Sequence, residues 1–221
     1  GTVVWQLNDI WPVASWASID YFGRWKALHY AEIRAFAPVM ISCEEVGELS
    51  ERPYCVAQPE PIQVSAALHV ANETMEPVSG TVKWELRKAS GEEIMAGRQE
   101  VTVAALSGLW LEKMDLSAYN ELEIYISYSF VQGEQVVSEN TSLFTAPKHF
   151  PFQDPGLIMR REGNTLVVTA QTYARSVSIE GIDGDVKLTD NFFDMNPGEK
   201  RVDILEGDAK EFKLLSVYDI A

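Results

Sequence analysis

Alternating apolar side chains mark the stretch Ile62-Gln63-Val64-Ser65-Ala66-Ala67-Leu68-His69-Val70. Its even-numbered positions are apolar, and the positions between them are small or polar. A period of two places the apolar set on one face of a β-strand, so this stretch predicts a half-buried strand. The same alternation occurs at residues 81–87 and 122–129.

Short apolar runs and turn signals complete this β pattern between residues 39 and 147. Further strands are predicted at 101–103, 109–111 and 142–144. Turn pairs separate the strands at Asn72-Glu73, Ser90-Gly91, Ser107-Gly108 and Gln132-Gly133. About seven short strands in such a length predict an immunoglobulin-like sandwich for residues 39–147, with Trp84 and Trp110 in its core.

The chain changes character on both sides of this region. Residues 1–38 hold four of the six tryptophans; residues 3–7 predict a buried strand and residues 20–36 a helix that ends before Pro38. Such a βα unit needs a sheet to cover it, so residues 1–38 are predicted to be the end of a barrel or parallel sheet. We expect them to dock on the sandwich or on another copy of the chain, because they carry exposed apolar surface.

Residues 148–156 are predicted to be a linker, and residues 157–221 a second, smaller immunoglobulin-like β domain that leans on its neighbour. A hairpin is predicted at Glu162-Gly163-Asn164. The strands of this domain are predicted at 157–159, 166–168, 177–179, 202–204 and 212–215.

Composition excludes two classes of function. The 221 residues include 33 acidic and 18 basic side chains, a net charge of −15, so the chain lacks the basic surface that nucleic acid requires. No run of 18 apolar residues predicts a membrane span. The acidity itself indicates nothing about the substrate.

No cofactor or metal motif is present. Cys43 and Cys55 fit no zinc spacing and are expected to be free thiols, although their pairing stays open. His29 is interpreted as a packing or capping residue of the helix. The acidic residues Glu44, Glu45, Glu48 and Glu51 are interpreted as a solvated face.

One cluster combines polar and aromatic chemistry, Trp5-Gln6-Leu7-Asn8-Asp9-Ile10-Trp11-Pro12. At the end of a parallel strand it would lie where α/β folds place active sites. Tryptophan rings stack on sugar rings, and amide and carboxylate groups bind hydroxyls. The alternative interpretation is a buried strand end with a polar turn, in which the tryptophans belong to a core.

This cluster, with Ser15-Trp16-Ala17, Asp20-Tyr21, Gly23-Arg24-Trp25-Lys26, Leu28-His29-Tyr30 and Phe36-Ala37-Pro38, closely resembles the end of the catalytic barrel of β-mannosidases, glycoside hydrolase family 2. The stretch Asp190–Glu199 resembles a phrase of the terminal β domain of that family. The order of barrel end, immunoglobulin-like domain and smaller β domain is also similar to the family's layout.

The resemblance implies a retaining β-mannosidase that hydrolyses terminal β-D-mannosides with two glutamates. Those glutamates lie upstream of Trp5 in the family, so the chain is expected to be a C-terminal piece without catalytic residues, inactive alone, that braces the barrel. Trp5 is implied as the floor of the sugar subsite. The side chains of Gln6, Asn8, Asp9 and Trp11 are implied near the pocket or in its supporting shell.

Three further expectations accompany this resemblance. The barrels of this clan carry a cis peptide after the tryptophan, and we expect Trp5–Gln6 to be trans without the barrel. The implied partners are terminal β-mannosides and the rest of the barrel, with self-association through residues 1–38 left open. The compartment is also open, with periplasm, secretion and lysosome as the alternatives.

Two other functions compete with an enzyme part. A carbohydrate-binding or scaffold module would present exposed aromatic side chains on one sheet face, for which Tyr54 and Tyr125 are the candidates. The same region of a related family 2 enzyme, an exo-glucosaminidase or β-galactosidase, is the other. Asn72 and Asn140 also fit the pattern of N-glycosylation acceptors, a weak signal.

Overall fold

A computed structural model of the chain describes residues 3–51 and 61–220. It divides into two compact units, one formed by Ala37–Gln153 and the other by Gly1–Phe36 together with Asp154–Ala221. We call them the central unit and the composite unit. Both are built mainly from antiparallel β-strands, so the predicted mainly β class is confirmed.

The central unit contains two four-stranded sheets and a short helix, Glu48–Glu51. In one sheet β2 pairs with β1, β5 and β6, and the other has the order β4-β3-β7-β8. A 3-10 turn, Pro147–His149, follows the last strand. The strands are β1 (Val39–Val46), β2 (Ser65–Asn72), β3 (Val78–Lys88), β4 (Glu93–Val103), β5 (Ser107–Trp110), β6 (Met114–Asp115), β7 (Ile124–Gln132) and β8 (Gln135–Leu143).

The alternating stretch supplies the core of the central unit as predicted. Leu68 and Val70 of β2 are fully buried, as are Leu86 of β3 and Ile126 and Phe130 of β7. Burying each such side chain is worth about 1.5–3 kcal/mol relative to exposing it. The alternation therefore identifies the face of each sheet that packs inward.

Two predictions within this unit are wrong. Trp84 packs against the core only half-buried, whereas Trp110 is 56% exposed, because it pairs with His69 on the face of the sheet that points away from Leu68. The pair Ser107-Gly108 lies within β5 instead of in a turn. The chain turns just before it, where Leu106 adopts a φ of 51°.

The acidic stretch is only partly a solvated face. Glu44 and Glu51 are exposed. Glu45 is half-buried, and burial raises the pKa of its carboxyl. The carboxylate of Glu48 accepts hydrogen bonds from Thr145 and from Nδ1 of His149. The expectation is therefore wrong for Glu45 and Glu48, and Glu48 links the short helix to Thr145 and His149.

The cysteine within the described residues, Cys43, is chemically unreactive. Cys43 is a free thiol on β1, and burial raises its pKa to about 12. A thiol with so high a pKa is a poor nucleophile and metal ligand, because only the thiolate reacts. Cys55 lies outside the described residues.

The composite unit has a four-stranded sheet, β12-β14-β10-β9, and a three-stranded sheet, β13-β11-β15. Gly163, with a φ of 65°, makes the predicted hairpin turn between β9 and β10. A 3-10 turn, Val217–Ile220, follows the last strand. The elements are α1 (Ala27–Ala35), β9 (Ile158–Glu162), β10 (Thr165–Ala170), β11 (Ala174–Gly181), β12 (Val186–Leu188), β13 (Phe193–Met195), β14 (Gly198–Gly207) and β15 (Phe212–Leu215).

The predictions for the first 36 residues need three corrections. Residues 3–7 form no strand: Asn8 makes a single bridge to Ile19, and a strand requires a longer lateral partner. The helix begins at Ala27, because residues 20–23 form a turn in which Gly23 has a φ of 83°. The segment docks on the second β domain, where Tyr30 enters the core, whereas the expectation named the first sandwich or another copy.

Candidate functional site

The predicted site is a loop that folds back on itself. The Ile19 amide donates to the carbonyl of Leu7 at 2.8 Å, and the Asp9 amide donates to the carbonyl of Ile19 at 3.0 Å. The Ser18 amide donates to the carbonyl of Gln6 at 3.3 Å. These bonds fix the backbone at residues 6–9. We call residues 5–19 the aromatic loop.

Asp9 is the buried anchor of the aromatic loop. It is 4% exposed and accepts hydrogen bonds from the hydroxyl of Ser15 and from Nζ of Lys26, the latter at 2.9 Å. These two donors hold the pKa of the Asp9 carboxyl below its ordinary value, since both favour the charged form. Asp9 therefore links the loop to the residue that precedes α1.

The two amide side chains of the predicted site are engaged with the loop itself. Nε2 of Gln6 donates to the carbonyl of Asn8 at 3.0 Å, and Nδ2 of Asn8 donates to the carbonyl of Asp9 at 3.2 Å. The Trp5–Gln6 peptide is cis, so the expectation of a trans bond is wrong. The amides of Ser18 and Ile19 donate to the carbonyls of the residues that follow it, Gln6 and Leu7.

The tryptophan rings of the loop face outward. Trp5 is 75% exposed and Trp11 64% exposed, and Trp16 is exposed as well. The interpretation of these tryptophans as core is therefore wrong for the described structure. The structure brings Gln6, Asn8 and Asp9 into one hydrogen-bonded loop and leaves the rings of Trp5 and Trp11 free for contact.

Three supporting residues were not singled out from the sequence. Ser15 and Lys26 bind the Asp9 carboxylate, and the Ser18 hydroxyl donates to the carbonyl of Leu7 at 3.0 Å. Ser15 and Lys26 fall within the stretches that carry the family resemblance, and Ser18 directly follows one of them. No periodicity marks a lysine as the partner of an aspartate 17 positions earlier.

His29 packs as predicted. Its ring lies 4.7 Å from that of Trp25, and its Nδ1 lies 3.4 Å from the Ser18 hydroxyl and 3.5 Å from the Glu32 carboxylate. His29 thereby contacts the aromatic loop, and Glu32 pairs with His29 within α1.

The described residues were also compared with the requirements for metal binding and for a membrane-spanning helix. Residues 3–51 and 61–220 contain no group of three or more His, Cys, Asp or Glu side chains placed to hold a metal ion. No helix within these ranges has the length and apolar character needed to span a membrane.

Comparison with known families matches two consecutive parts of the chain. Residues 65–149 match the model of the mannosidase Ig/CBM-like domain, and residues 152–219 match the model of an Ig-fold domain. The first match falls in the central unit and the second in the composite unit. The predicted immunoglobulin-like domains are thereby confirmed.

Curated relatives align over nearly the whole chain. β-Mannosidase A of Aspergillus terreus is 29% identical over 91% of this chain and 22% of its own length. β-Mannosidase B of Neosartorya fischeri is 26% identical over 94% of this chain and 25% of its own length. The chain is homologous to β-mannosidases over most of its length. It spans about a quarter of the length of these relatives.

Solved structures show the same fold. A β-D-mannosidase from Dictyoglomus thermophilum superimposes with a TM-score of 0.74 at 19% identity, covering 96% of this chain and 25% of the other. An exo-chitosanase from Amycolatopsis orientalis superimposes with a TM-score of 0.64 at 14% identity, covering 96% of this chain and 29% of the other. The fold is thus shared by enzymes named for different sugars.

Proposed function

We propose that the chain is the accessory region of a retaining β-mannosidase that acts on terminal β-D-mannose residues. The observation that carries this is the pair of consecutive mannosidase-type domain matches over residues 65–149 and 152–219. The relatives named β-mannosidase support it over more than nine-tenths of the chain. In this proposal the domains, drawn at 39–147 and 157–221, brace a catalytic barrel that holds the two glutamates.

The aromatic loop would form one wall of the sugar pocket. Trp5 exposes 75% of its surface while the backbone beside it is fixed, which is what a stacking platform requires. Trp11 would contact the sugar or the pocket rim. The side chains of Gln6, Asn8 and Asp9 would shape the loop, because each is bonded within it or to Lys26.

The catalytic barrel is the partner that we propose for the apolar surface of residues 3–36. This segment exposes large apolar side chains that a soluble monomer normally covers. They are Val3, Val4, Trp5, Leu7, Ile10, Trp11, Val13, Trp16, Tyr21, Phe22, Leu28, Ile33 and Phe36. A second copy of the chain is the alternative occupant, and a dimer in sedimentation that Trp16→Ser abolishes would favour it.

Activity on a chromogenic β-mannoside tests the proposal. We expect no hydrolysis by the 221-residue chain and hydrolysis by the parent protein that contains it. In the parent, Trp5→Ala should lower kcat/KM about 10- to 100-fold, corresponding to about 1.4–2.7 kcal/mol of lost transition-state binding. The matched control, Trp110→Ala, removes an exposed tryptophan from the central unit and should leave kcat/KM unchanged.

The identity of the sugar is tested in the same assay. The likeness to an exo-chitosanase makes a glucosaminide the first competing substrate, and a galactoside the second. Preference for either over the mannoside would contradict the substrate assignment while leaving the accessory role intact.

A carbohydrate-binding module is the second candidate function. Tyr125, one expected platform residue, is fully buried beside Phe150, and Tyr54 lies outside the described residues. Trp110 provides a different platform. Trp110 is 56% exposed, and its ring lies 4.5 Å from the ring of His69. The His69 ring in turn covers Gly108, because a Cβ added at Gly108 would lie 2.2 Å from Nε2 of His69.

Calorimetry distinguishes this candidate. A carbohydrate-binding module predicts that manno-oligosaccharides at millimolar concentration release heat on binding the 221-residue chain. It also predicts that Trp110→Ala abolishes this heat signal and that Trp16→Ala preserves it. Absence of heat with the unmodified chain, or loss with Trp16→Ala alone, would exclude the Trp110 platform.

A further inference from the structure

Arg34, at the end of α1, makes the most extensive polar contact between the first 36 residues and the second β domain. Its Nη1 donates to the carboxylate of Asp190 and to the carbonyl of Asn191 at 3.1 Å, and Nη2 donates to the carbonyl of Phe192 at 3.3 Å. Asp190 also lies 3.4 Å from Nζ of Lys200. Arg34 is thus held by one carboxylate and two backbone carbonyls, a fork that lysine cannot reproduce.

Tyr30 fixes the middle of α1. It is 2% exposed within the core of the composite unit, and its hydroxyl accepts a hydrogen bond from the Leu188 amide at 3.3 Å. Its ring lies 6.1 Å from that of Phe192 and 5.6 Å from that of Trp25. Rotation or sliding of α1 would break this hydrogen bond and open the core.

Trp25 and Lys26 carry the contact to the start of α1. Nζ of Lys187 lies 5.8 Å from the centre of the Trp25 ring. The Lys26 amide donates to the carbonyl of Ser18 at 2.9 Å, and its Nζ donates to the Asp9 carboxylate at 2.9 Å. The same residue therefore contacts the aromatic loop and directly precedes the helix.

These contacts form a continuous path from residues 187–192 to the aromatic loop. A nine-residue helix is about 13 Å long and stiff, so gripping it at Tyr30 and Arg34 also sets the position of Lys26. The position of Lys26 then fixes the position of the Asp9 carboxylate. The Asp9 amide is in turn hydrogen-bonded to the carbonyl of Ile19, beside the bridge between Asn8 and Ile19. Each step is a hydrogen bond or a buried ring contact within the composite unit.

We propose that residues 187–192 of the second β domain position the aromatic loop through α1, with Arg34, Tyr30 and Lys26 as positioning residues for Trp5. The proposal rests on the proposed function only in assigning Trp5 to a sugar. The stretch Asp190–Phe192 then provides the hydrogen-bond acceptors for Arg34. This stretch resembles the family's terminal-domain phrase. The second β domain takes part in shaping the pocket wall without contacting the sugar.

Hydrogen exchange in the 221-residue chain tests the coupling. Arg34→Gln should speed exchange of the Asp9 and Ile19 amides about tenfold or more, as expected when a charge-assisted hydrogen-bond network is lost. Amides in β10 should keep their protection. Arg160→Gln is the matched control, since Arg160 pairs with Glu162 and Glu199 on the surface of the same unit; it should leave the loop unchanged.

Two further variants separate positioning from general destabilisation. Lys26→Met should speed exchange in the aromatic loop while the Phe36 amide at the far end of α1 stays protected. Tyr30→Phe keeps the buried ring and removes only the acceptor of the Leu188 amide, so it should produce a smaller increase than Arg34→Gln. Arg34→Lys should restore part of the protection, because it keeps the charge opposite Asp190.

Two results of the exchange experiment would contradict the proposal. Unchanged loop exchange in Arg34→Gln overturns the proposal, and so does an equal increase in the loop and in β10, which would mean that Arg34 only stabilises the whole unit. In the parent protein Arg34→Gln should raise KM more than it lowers kcat. A parent inactive on mannosides would contradict the proposed function, yet the exchange result in the chain would still stand.

Discussion

Asn72 is a buried, extensively hydrogen-bonded side chain of the central unit. Its Nδ2 lies 2.8 Å from the carbonyl of Glu76 and 3.0 Å from that of Ala104, and its Oδ1 accepts from the amide and hydroxyl of Thr74. It is 1% exposed. A buried amide with these contacts closes the turn after β2 and is not accessible for glycosylation in the folded chain.

Substitution of Asn72 tests this structural role. Asn72→Ala leaves buried carbonyls and an amide without partners, so we expect a loss of about 2–4 kcal/mol in the free energy of unfolding. Asn140→Ala alters the other glycosylation pattern at an exposed position and should change the free energy by less than about 0.5 kcal/mol. Urea unfolding measures both; equal effects would contradict the interpretation.

The Asp9 carboxylate gives the aromatic loop a defined pH dependence. Its folded pKa is lowered by Ser15 and Lys26, so its contribution to stability is present above the unfolded pKa, about 3.9, and is lost as pH falls through the folded value. Acidification below about pH 4 should therefore lower the protection factor of the Ile19 amide, which compares its exchange with that of an unstructured amide at the same pH.

The matched variants separate Asp9 from other acids. Asp9→Asn should show a low Ile19 protection factor at neutral pH with no further acid-dependent decrease at this amide. Asp115→Asn removes another carboxylate of lowered pKa, one bonded to Ser117 in the central unit, and should preserve the acid response of the loop. An acid response that persists in Asp9→Asn would contradict the assignment.

At the scale of elements, the period of two predicted well where strands have partners. Leu68 lies in β2 between two neighbouring strands, and its burial follows from the alternation. Residues 3–7 have an equally apolar pattern but only a bridge beside them, so pattern alone could not decide their structure. Trp110 shows the same limit, because an edge strand can turn a large ring to solvent.

Long-range partners were beyond sequence reasoning for the site as well. The aromatic loop and its polar residues could be recognised from the family-like cluster, but not the pairing of Asp9 with Lys26. Arg34 and Asp190 are separated by 156 positions, and many arginines and aspartates are available at such distances. Their contact depends on how α1 packs, which local preferences do not encode.

The β3–β4 pair makes a sharper test of packing between elements. Gly97 lies opposite Trp84, and an added Cβ would lie 2.4 Å from the indole ring. Gly97→Ala must displace Trp84 and should lower the free energy of unfolding by about 1–3 kcal/mol, with an altered near-ultraviolet dichroism.

The control for this test is Gly133→Ala in the turn between β7 and β8. Gly133 has a φ of 59°, and an added Cβ would have no heavy atom within 4 Å. Its cost, about 1–2 kcal/mol, comes from backbone strain alone. The dichroism of Trp84 should stay unchanged in this variant; a signal that is insensitive to Gly97→Ala would refute the packing argument.

At the scale of the whole molecule, the two units differ in how their chains are assembled. The central unit is one continuous segment with its own core, whereas the composite unit joins the two ends of the sequence. Residues 154–221 alone would lack Tyr30 in their core and Arg34 opposite Asp190. A domain of that size has little apolar burial to spare, so its missing segment should matter greatly.

Division of the chain tests this architecture. Residues 37–153 should unfold cooperatively as an isolated fragment. Residues 154–221 alone should be destabilised, and a peptide of residues 20–36 added in trans should raise the unfolding temperature with increasing concentration, because it binds only the folded form. Peptides with Tyr30→Ala or Arg34→Ala should lose this effect, whereas Ile33→Ala, at an exposed position of α1, should retain it. Equal stability of residues 154–221 with and without the peptide would mean that α1 rests on the second β domain without completing its core.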